Sequence, residues 1–203
     1  MNNLIIPNVI AELSGTEQAI SPFTYELSYR RRIYLIGEIN GGSAAGIITQ
    51  LYTLNDISHD DITLIINSPG GSVSDGNAVI DAINQIECKV STVCTGVAAS
   101  MAAIILASGT KGKRFITPRA EVMIHQPLGG VQGQASEISK MCDHILKTKR
   151  DLAVFLSERT GKAVDLITND MDRDYWMTAA EAVNYGIVDA IARKESSNSC
   201  LRL

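Results

Sequence analysis

Two short segments of the sequence carry the side chains needed for nucleophilic catalysis. Ser100 lies in GVAASM (96–101), just before a predicted apolar helix whose free N–H groups and dipole would stabilise a developing anion. His125 ends the apolar segment VMIH, and histidine is the usual general base for a serine hydroxyl. The simpler interpretations are an N-cap serine and a structural histidine. If the two side chains meet, however, they form the core of a hydrolase site.

The pair Gly70-Gly71 could supply the electrostatic part of such a site. It follows ITLII (62–66), a predicted buried strand, and open α/β sheets bind ligands beyond the carboxyl ends of their strands. A glycine pair lets backbone N–H groups face a cavity without obstruction, as an oxyanion hole requires. A plain tight turn is the alternative interpretation.

A histidine base needs a carboxylate that orients it and stabilises its charged form. Asp170, Asp172 and Asp174 cluster in NDMDRDYWM (169–177), and their spacing does not select one of them. Asp174 borders an apolar segment and is therefore the one expected to be partly buried. The chain order Ser, His, Asp differs from that of the familiar convergent triads.

Apolar segments alternate with helical patterns along the chain, which predicts an α/β fold with a largely parallel sheet covered by helices. The predicted strands are 33–37, 62–66, 90–94, 114–116 and 121–124, and the predicted helices are 43–54, 73–86, 98–108 and 135 to about 160. The length suggests a single domain over residues 1–203. Residues 1–30 are expected to form an irregular N-terminal arm, and the polar residues 194–203 a frayed tail.

The long predicted helix has a narrow apolar stripe, which is typical of a helix that projects and meets another subunit. The alternative is a helix that lies along its own sheet. Three glycines interrupt the preceding segment LGGVQGQA (128–135), which is expected to be extended and locally mobile.

Composition narrows the functional class. The 203 residues include 45% hydrophobic residues and a formal charge of −4, which argue against a disordered chain and against a basic nucleic-acid surface. The cysteines at 88, 94, 142 and 200 form no CxxC pair, so neither a zinc site nor a disulfide framework is predicted. No apolar run is long enough to span a membrane, and no signal peptide is recognisable. A cytoplasmic protein without a metal is expected.

From about residue 4 to residue 191 the sequence resembles the proteolytic subunit of the caseinolytic Clp protease, and five motifs carry this resemblance. They are IINSPGGSV (65–73), GVAASMAA (96–103), KGKRF..P (111–118), VMIHQPLGGVQGQA (122–135) and DRDYWMTAAEAVNYGIVD (172–189). The resemblance implies a catalytic triad of Ser100, His125 and Asp174, with the N–H groups of Gly71 and Met101 as oxyanion donors.

The same resemblance implies an architecture and partners. The expected fold is crotonase-like (ClpP-like), with repeated ββα units and a projecting handle over residues 128–160. Two stacked heptameric rings would enclose the sites, Asp172 and Arg173 would contact the other ring, and an AAA+ unfoldase would deliver unfolded polypeptides. The sequence has no P-loop, so ATP would be used by that partner and no cofactor is expected here. The implied substrate-binding strand comprises Leu128, Gly129, Gly130, Val131 and Gln132.

Departures from the family pattern lie on the implied unfoldase-docking face. Thr63 and Ile65 stand where the family usually has aromatic residues, and Gln85 where it has an apolar one. We therefore expect a paralogue with altered docking, either as a homo-oligomer or in a barrel with a second, more typical ClpP-like subunit. Two alternatives remain: a catalytically dormant or regulatory ring subunit, and an acyl-CoA enzyme of the same fold, in which Ser100 and His125 would be superfluous.

Overall fold

A computed structural model describes residues 7–13 and 15–192, so the predicted tail at 194–203 lies outside the described residues. The strands are β1 (Val9–Leu13), β2 (Thr16–Ile20), β3 (Arg32–Ile36), β4 (Ile62–Ser68), β5 (Val90–Ala99), β6 (Arg114–Ile116), β7 (Glu121–Ile124), β8 (Tyr175–Thr178) and β9 (Ala190–Ile191). The helices are α1 (Pro22–Arg30), α2 (Gly41–Ile57), α3 (Val73–Gln85), α4 (Met101–Ser108), α5 (Ala135–Thr160), α6 (Val164–Asp170) and α7 (Ala179–Tyr185).

The main sheet is largely parallel, which confirms the predicted α/β class. Its strands run in the order β3-β4-β5-β6-β9, and β7 pairs with the second half of β5. Only β8, which pairs with β7, is antiparallel within this sheet. Within the described ranges, no helix combines the length and apolar character needed to cross a membrane.

Helices cover one face of this sheet. Along β4 the side chains of Ile62, Leu64 and Ile66 are buried, whereas Thr63 and Ile65 on the opposite face are only partly buried in the single chain. Every residue of α4 is buried, so this short helix forms the centre of the core between the sheet and its neighbours α3 and α5. The expectation of a sheet covered by helices is therefore fulfilled on the face of α4, while on the other face α1 packs against Tyr34 of β3.

Strand β5 is longer than predicted, and its two halves pair with different strands. The predicted strand ended at residue 94 and the next helix began at 98, but β5 continues to Ala99 and α4 begins at Met101. The strand bends at Gly96, whose φ is +84°; the part before it pairs with β6 and the part after it with β7. Residues 97–99 are all apolar, so their periodicity could not distinguish strand from helix.

The N-terminal region is more ordered than predicted. Strands β1 and β2 form an antiparallel hairpin, and α1 follows directly. Ser21 caps this helix through a hydrogen bond from the Thr24 N–H to its hydroxyl, and Pro22 occupies the first turn. A capping serine followed by proline is a helix-start signal, so the expectation of an irregular arm overlooked information in the sequence.

Helix α5 has the predicted bounds, and its two halves differ. Leu152 and Leu156 in the second half are buried, while Ile138 and Met141 in the first half are exposed in the single chain. Residues 125–134 before it pair with no strand of the described residues, so the substrate-binding strand stays a prediction. The helix therefore both packs on its own domain and projects beyond it.

A buried ion pair ties the end of the sheet to the core. The Arg114 guanidinium donates to both carboxylate oxygens of Asp189, at 3.0 and 2.6 Å, and the N–H groups of Gly112 and Arg114 donate to the same carboxylate. Burial alone would raise the pKa of Asp189, but the hydrogen bonds and charge of Arg114 outweigh burial and lower it. The ionised form is therefore the one that stabilises the fold.

We predict that Asp189→Asn lowers the free energy of unfolding at pH 7 by about 3 kcal/mol, because it leaves the buried Arg114 without its counter-charge. The lowered pKa means that the stabilisation is present above the ordinary aspartate pKa and is lost as the pH falls through the folded-state value. Urea unfolding from pH 7 to pH 3, at fixed protein concentration, should show the difference between variant and wild type shrinking with acidification.

Asp61→Asn is the matched control, because the ion pair of Asp61 with Lys113 is largely solvent-exposed. Its loss should cost less than about 1 kcal/mol. Equal destabilisation by the two substitutions, or a difference for Asp189→Asn that does not change with pH, would contradict this assignment.

Candidate active site

The register of three strands brings the predicted site residues together. Strand β7 pairs with β8 so that Ile124 lies opposite Tyr175, which places the next residues, His125 and Asp174, opposite each other. Strand β5 pairs with β7 so that Ala99 lies beside Met123, and the Ser100 N–H donates to the Met123 carbonyl at 2.8 Å. Each of the three side chains therefore leaves the sheet at the same edge.

At this edge the side chains form a hydrogen-bonded line. The Nε2 atom of His125 lies 2.8 Å from the Ser100 Oγ atom, and its Nδ1 atom lies 3.1 Å from the Asp174 Oδ1 atom. With a proton on Nδ1, Nε2 is free to accept the proton of the hydroxyl, so the carboxylate fixes the tautomer that a general base requires.

Ser100 has a strained backbone. Its φ of +56° and ψ of −126° are unusual for any residue other than glycine, and it stands at the sharp turn between β5 and α4. Such conformations cost about 1–3 kcal/mol and cluster at functional sites. Its side chain makes no cap hydrogen bond to α4, so the structure does not support the simpler interpretation of Ser100 as an N-cap. The turn instead presents the hydroxyl to His125.

The Gly70-Gly71 turn packs directly against Ser100. A side chain on Gly70 would approach the Ala99 carbonyl and the Ser100 Cβ atom to 2.7 Å. Gly71 forms a bridge with Ile39 in which the Gly70 carbonyl and the Ser72 N–H make the hydrogen bonds, so the N–H of Gly71 points to the opposite side. Among the described residues, neither this N–H nor that of Met101 has a hydrogen-bond partner. Two free donors thus flank Ser100.

Asp174 is more exposed than expected. Its side chain is 63% exposed in the single chain, against 17% for His125, so the prediction that it is partly buried was wrong. The neighbouring Tyr175 and Trp176 are also exposed, because only Met177 of strand β8 points into the core. The apolar neighbours therefore do not form a buried pocket around the carboxylate within one chain.

A second set of hydrogen bonds connects the His125 and Asp174 loops to α5. The Gln126 N–H donates to the Met171 carbonyl at 2.6 Å, and the Gln126 side-chain amide donates to the Asp172 carbonyl at 2.9 Å. The Lys149 ammonium of α5 donates to the Gln126 side chain at 2.9 Å and lies 3.4 Å from the Asp172 carboxylate. Sequence analysis missed Gln126 and Lys149, because no local pattern indicates which residues of distant segments meet.

The remaining predicted residues have different surroundings. Arg173 is exposed and makes no hydrogen bond or ion pair with any described residue. Leu128, Gly129 and Gly130 line a groove beside the site, but Val131 and Gln132 do not. Thr63 and Ile65 lie on the half-buried face of β4, as the sequence indicated. The side-chain carbonyl oxygen of Gln85, at the end of α3, accepts a hydrogen bond from the Tyr52 hydroxyl.

The groove has a volume of about 790 Å³ and runs between α3, α5 and residues 127–130. It is continuous with the cleft at Ser100 and His125, since Val73, Ile104, Pro127 and Leu152 line both. Helix α3 begins at the glycine turn, and a side chain on its Gly76 would collide with Met101. This close approach of α3 to α4 keeps the groove next to the free N–H groups.

Other potentially reactive side chains do not form a competing site. Cys94 is fully buried, and burial raises its pKa to about 12, so its thiol stays protonated. His59 is exposed and lies 3.6 Å from Glu87, and His144 is exposed on α5. The described part of the chain contains no cluster of side chains suited to a metal ion. Ser100 is thus the nucleophile candidate that the structure provides with a base.

A comparison with protein-family models finds a match to the Clp protease family over residues 15–195. The match includes every strand of the main sheet, the glycine turn and the segments that carry Ser100, His125 and Asp174. Because it covers nearly the whole sequence, this chain belongs to the Clp protease family.

Proposed function

We propose that this protein is a Clp-type serine endopeptidase that hydrolyses peptide bonds of unfolded polypeptides. The observation that carries the proposal is the hydrogen-bonded line from the Ser100 hydroxyl through His125 to Asp174, beside two unpartnered backbone N–H groups. Membership of the Clp protease family supports the same reaction class.

In this mechanism the Ser100 oxygen attacks the peptide carbonyl while His125 takes up the hydroxyl proton. The carbonyl oxygen becomes an oxyanion, which the N–H groups of Gly71 and Met101 stabilise; such a donor typically contributes about 10²–10³-fold in rate. His125 then gives its proton to the leaving amine, and an acyl-enzyme ester remains on Ser100. Water, activated by the same histidine, hydrolyses the ester and restores the serine.

We also propose the family's assembly for this chain: a crotonase-like subunit in two stacked heptameric rings, served by an AAA+ unfoldase that uses ATP. The exposed first half of α5 supports a contact with another subunit, because it leaves apolar residues such as Ile138, Met141 and Leu146 in water in the single chain. The Thr63 and Ile65 positions support a docking face with altered chemistry. A barrel shared with a second ClpP-like subunit is the alternative assembly.

Two other functions are less well supported. A dormant or regulatory subunit would need no aligned nucleophile, whereas Ser100 here is held in a strained conformation within hydrogen-bonding distance of His125. An acyl-CoA enzyme would use the two N–H groups to polarise a thioester but would have no use for the Ser100–His125 pair. Dormancy of the subunit would depend on how the particle is assembled. Enzyme assays must therefore record the particle mass of the same sample.

We predict that Ser100→Ala lowers turnover of a short fluorogenic peptide by more than about 10³-fold, because no other described hydroxyl has the histidine as its base. The matched control is Thr53→Ala, which removes an exposed hydroxyl of α2 that forms no hydrogen bond with any described residue. Particle mass should be the same in both variants. Wild-type rings that do not cleave would favour the dormant subunit, and undiminished turnover of a thioester by Ser100→Ala would favour the acyl-CoA enzyme.

We predict that Arg173→Ala yields single rings whose peptidase activity is about 10²-fold lower, the typical effect of a misplacement of about 1 Å in an active site. Among the described residues Arg173 has no hydrogen-bond or ion-pair partner, while its neighbours Asp172 and Asp174 are joined to α5 and to His125. Loss of a contact between rings would therefore disturb the base. Native mass measurement and peptide turnover check this, with exposed Arg119 replaced by alanine as the control; stacked, fully active Arg173→Ala rings would contradict it.

A further inference from the structure

The groove beside the candidate active site has an apolar floor and an acidic wall. Its apolar lining includes Ile80, Ile104, Leu152 and Phe155, so a long aliphatic stem can be buried there. Its charged lining consists of Asp81 on α3 and Asp151 on α5, and no lysine or arginine of the described residues lines it. The groove thus combines apolar surface with unbalanced negative charge.

Both carboxylates are available to a ligand. Neither Asp81 nor Asp151 forms a hydrogen bond or ion pair with any described residue, and both are exposed in the single chain. On α5, Lys147 lies one turn before Asp151 and Arg150 adjoins it, but neither forms an ion pair with Asp151; Lys149 is engaged by Gln126 and Asp172. His144 is the only other titratable residue of the lining, so the charge of the groove is negative when this histidine is neutral.

The position of the groove determines which part of a substrate enters it. A peptide carbonyl placed on the N–H groups of Gly71 and Met101 lies at the cleft of Ser100 and His125, and Val73 and Leu152 continue from this cleft into the groove. Because the cleft and the groove are continuous, the side chain of the residue whose carbonyl is attacked, termed P1, has a path into the groove, whose lining includes Asp151. Asp81 lies eight residues along α3 from Val73, about 12 Å farther from the site.

From this arrangement we propose that the groove selects a P1 side chain with an aliphatic stem and a cationic tip, lysine above all, and that Asp151 is the residue that recognises the charge. This inference rests on the proposed peptidase function. The stem contacts the apolar floor, and the ammonium group meets the unpaired carboxylate at the wall. Asp81 contributes a weaker, longer-range attraction.

The test uses two fluorogenic peptides that differ only at P1, which is lysine in one and norleucine in the other. Both side chains have the same four-carbon stem, so the ratio of their kcat/KM values reports the charge alone. For the wild-type particle at pH 8 we expect the ratio to favour lysine. Asp151→Asn should lower the ratio about 2- to 5-fold, the range for a solvent-exposed ion pair, and Asp81→Asn should lower it less.

Glu158→Gln is the matched control, because it removes the same charge from an exposed position of α5 outside the groove lining. It should leave the ratio at its wild-type value. Salt gives a check that needs no variant: raising the ionic strength from about 0.01 M to about 1 M shortens the screening length from about 30 Å to about 3 Å and should reduce the preference for lysine.

Three results would overturn the proposal: a ratio that Asp151→Asn does not change, an equal fall with Glu158→Gln, or a wild-type preference for lysine that is insensitive to salt. These outcomes differ from failure of the peptidase function itself. If the peptidase function itself fails, neither peptide is cleaved in a manner that depends on Ser100, and the groove proposal fails as well. Cleavage of the norleucine peptide without any effect of Asp151 would contradict the groove proposal alone.

Discussion

The alignment of the candidate site depends on the register in which β7 lies between β5 and β8. A shift of one residue in either pairing would turn the side chain at position 125 to the other face of the sheet and away from Ser100. Gly96 makes this arrangement possible, because the bend at its positive φ lets β5 leave β6 and pair with β7. The strained turn at Ser100 and the glycine turn at residues 70–71 then pack against each other at the same sheet edge. The geometry of the candidate site is thus determined mainly by backbone pairing.

The site is connected to surfaces that one chain leaves uncovered. Lys149 of α5 binds the loops that carry His125 and Asp174, and the first half of the same helix is exposed. Asp174 itself is largely exposed, although its role in the proposed mechanism requires a fixed geometry. A second subunit that covers this region would restrict the carboxylate and exclude water from it. Assembly and alignment of the base are therefore physically linked in this account.

Sequence reasoning predicted most elements because their patterns are local. Strands β6 and β7 and helix α5 have the predicted bounds, and the alternation of strands and helices was sufficient for the α/β class. The errors occurred where local pattern and tertiary structure differ. Residues 98–99 belong to a strand because β7 lies beside them. The hairpin and α1 were missed although Ser21 and Pro22 signal a helix start.

The types of the site residues were predictable, but their contacts were not. Ser100, His125 and a choice of three aspartates followed from the sequence, whereas the selection of Asp174 required the family resemblance or the β7–β8 register. The strain at Ser100, the Lys149 contacts and the groove between α3 and α5 depend on packing between distant segments. These features connect the fold to the proposed chemistry and to the proposed choice of substrate.

The most direct test of the central claim is chemical labelling of the assembled protein with a fluorophosphonate, followed by mass mapping of the adduct. The account predicts a single adduct on the Ser100 Oγ atom, formed with release of fluoride, and its loss when His125 is replaced by alanine in a particle of unchanged mass. An adduct on another residue, or labelling of Ser100 at the same rate without His125, would contradict the proposal that these side chains act together as nucleophile and base.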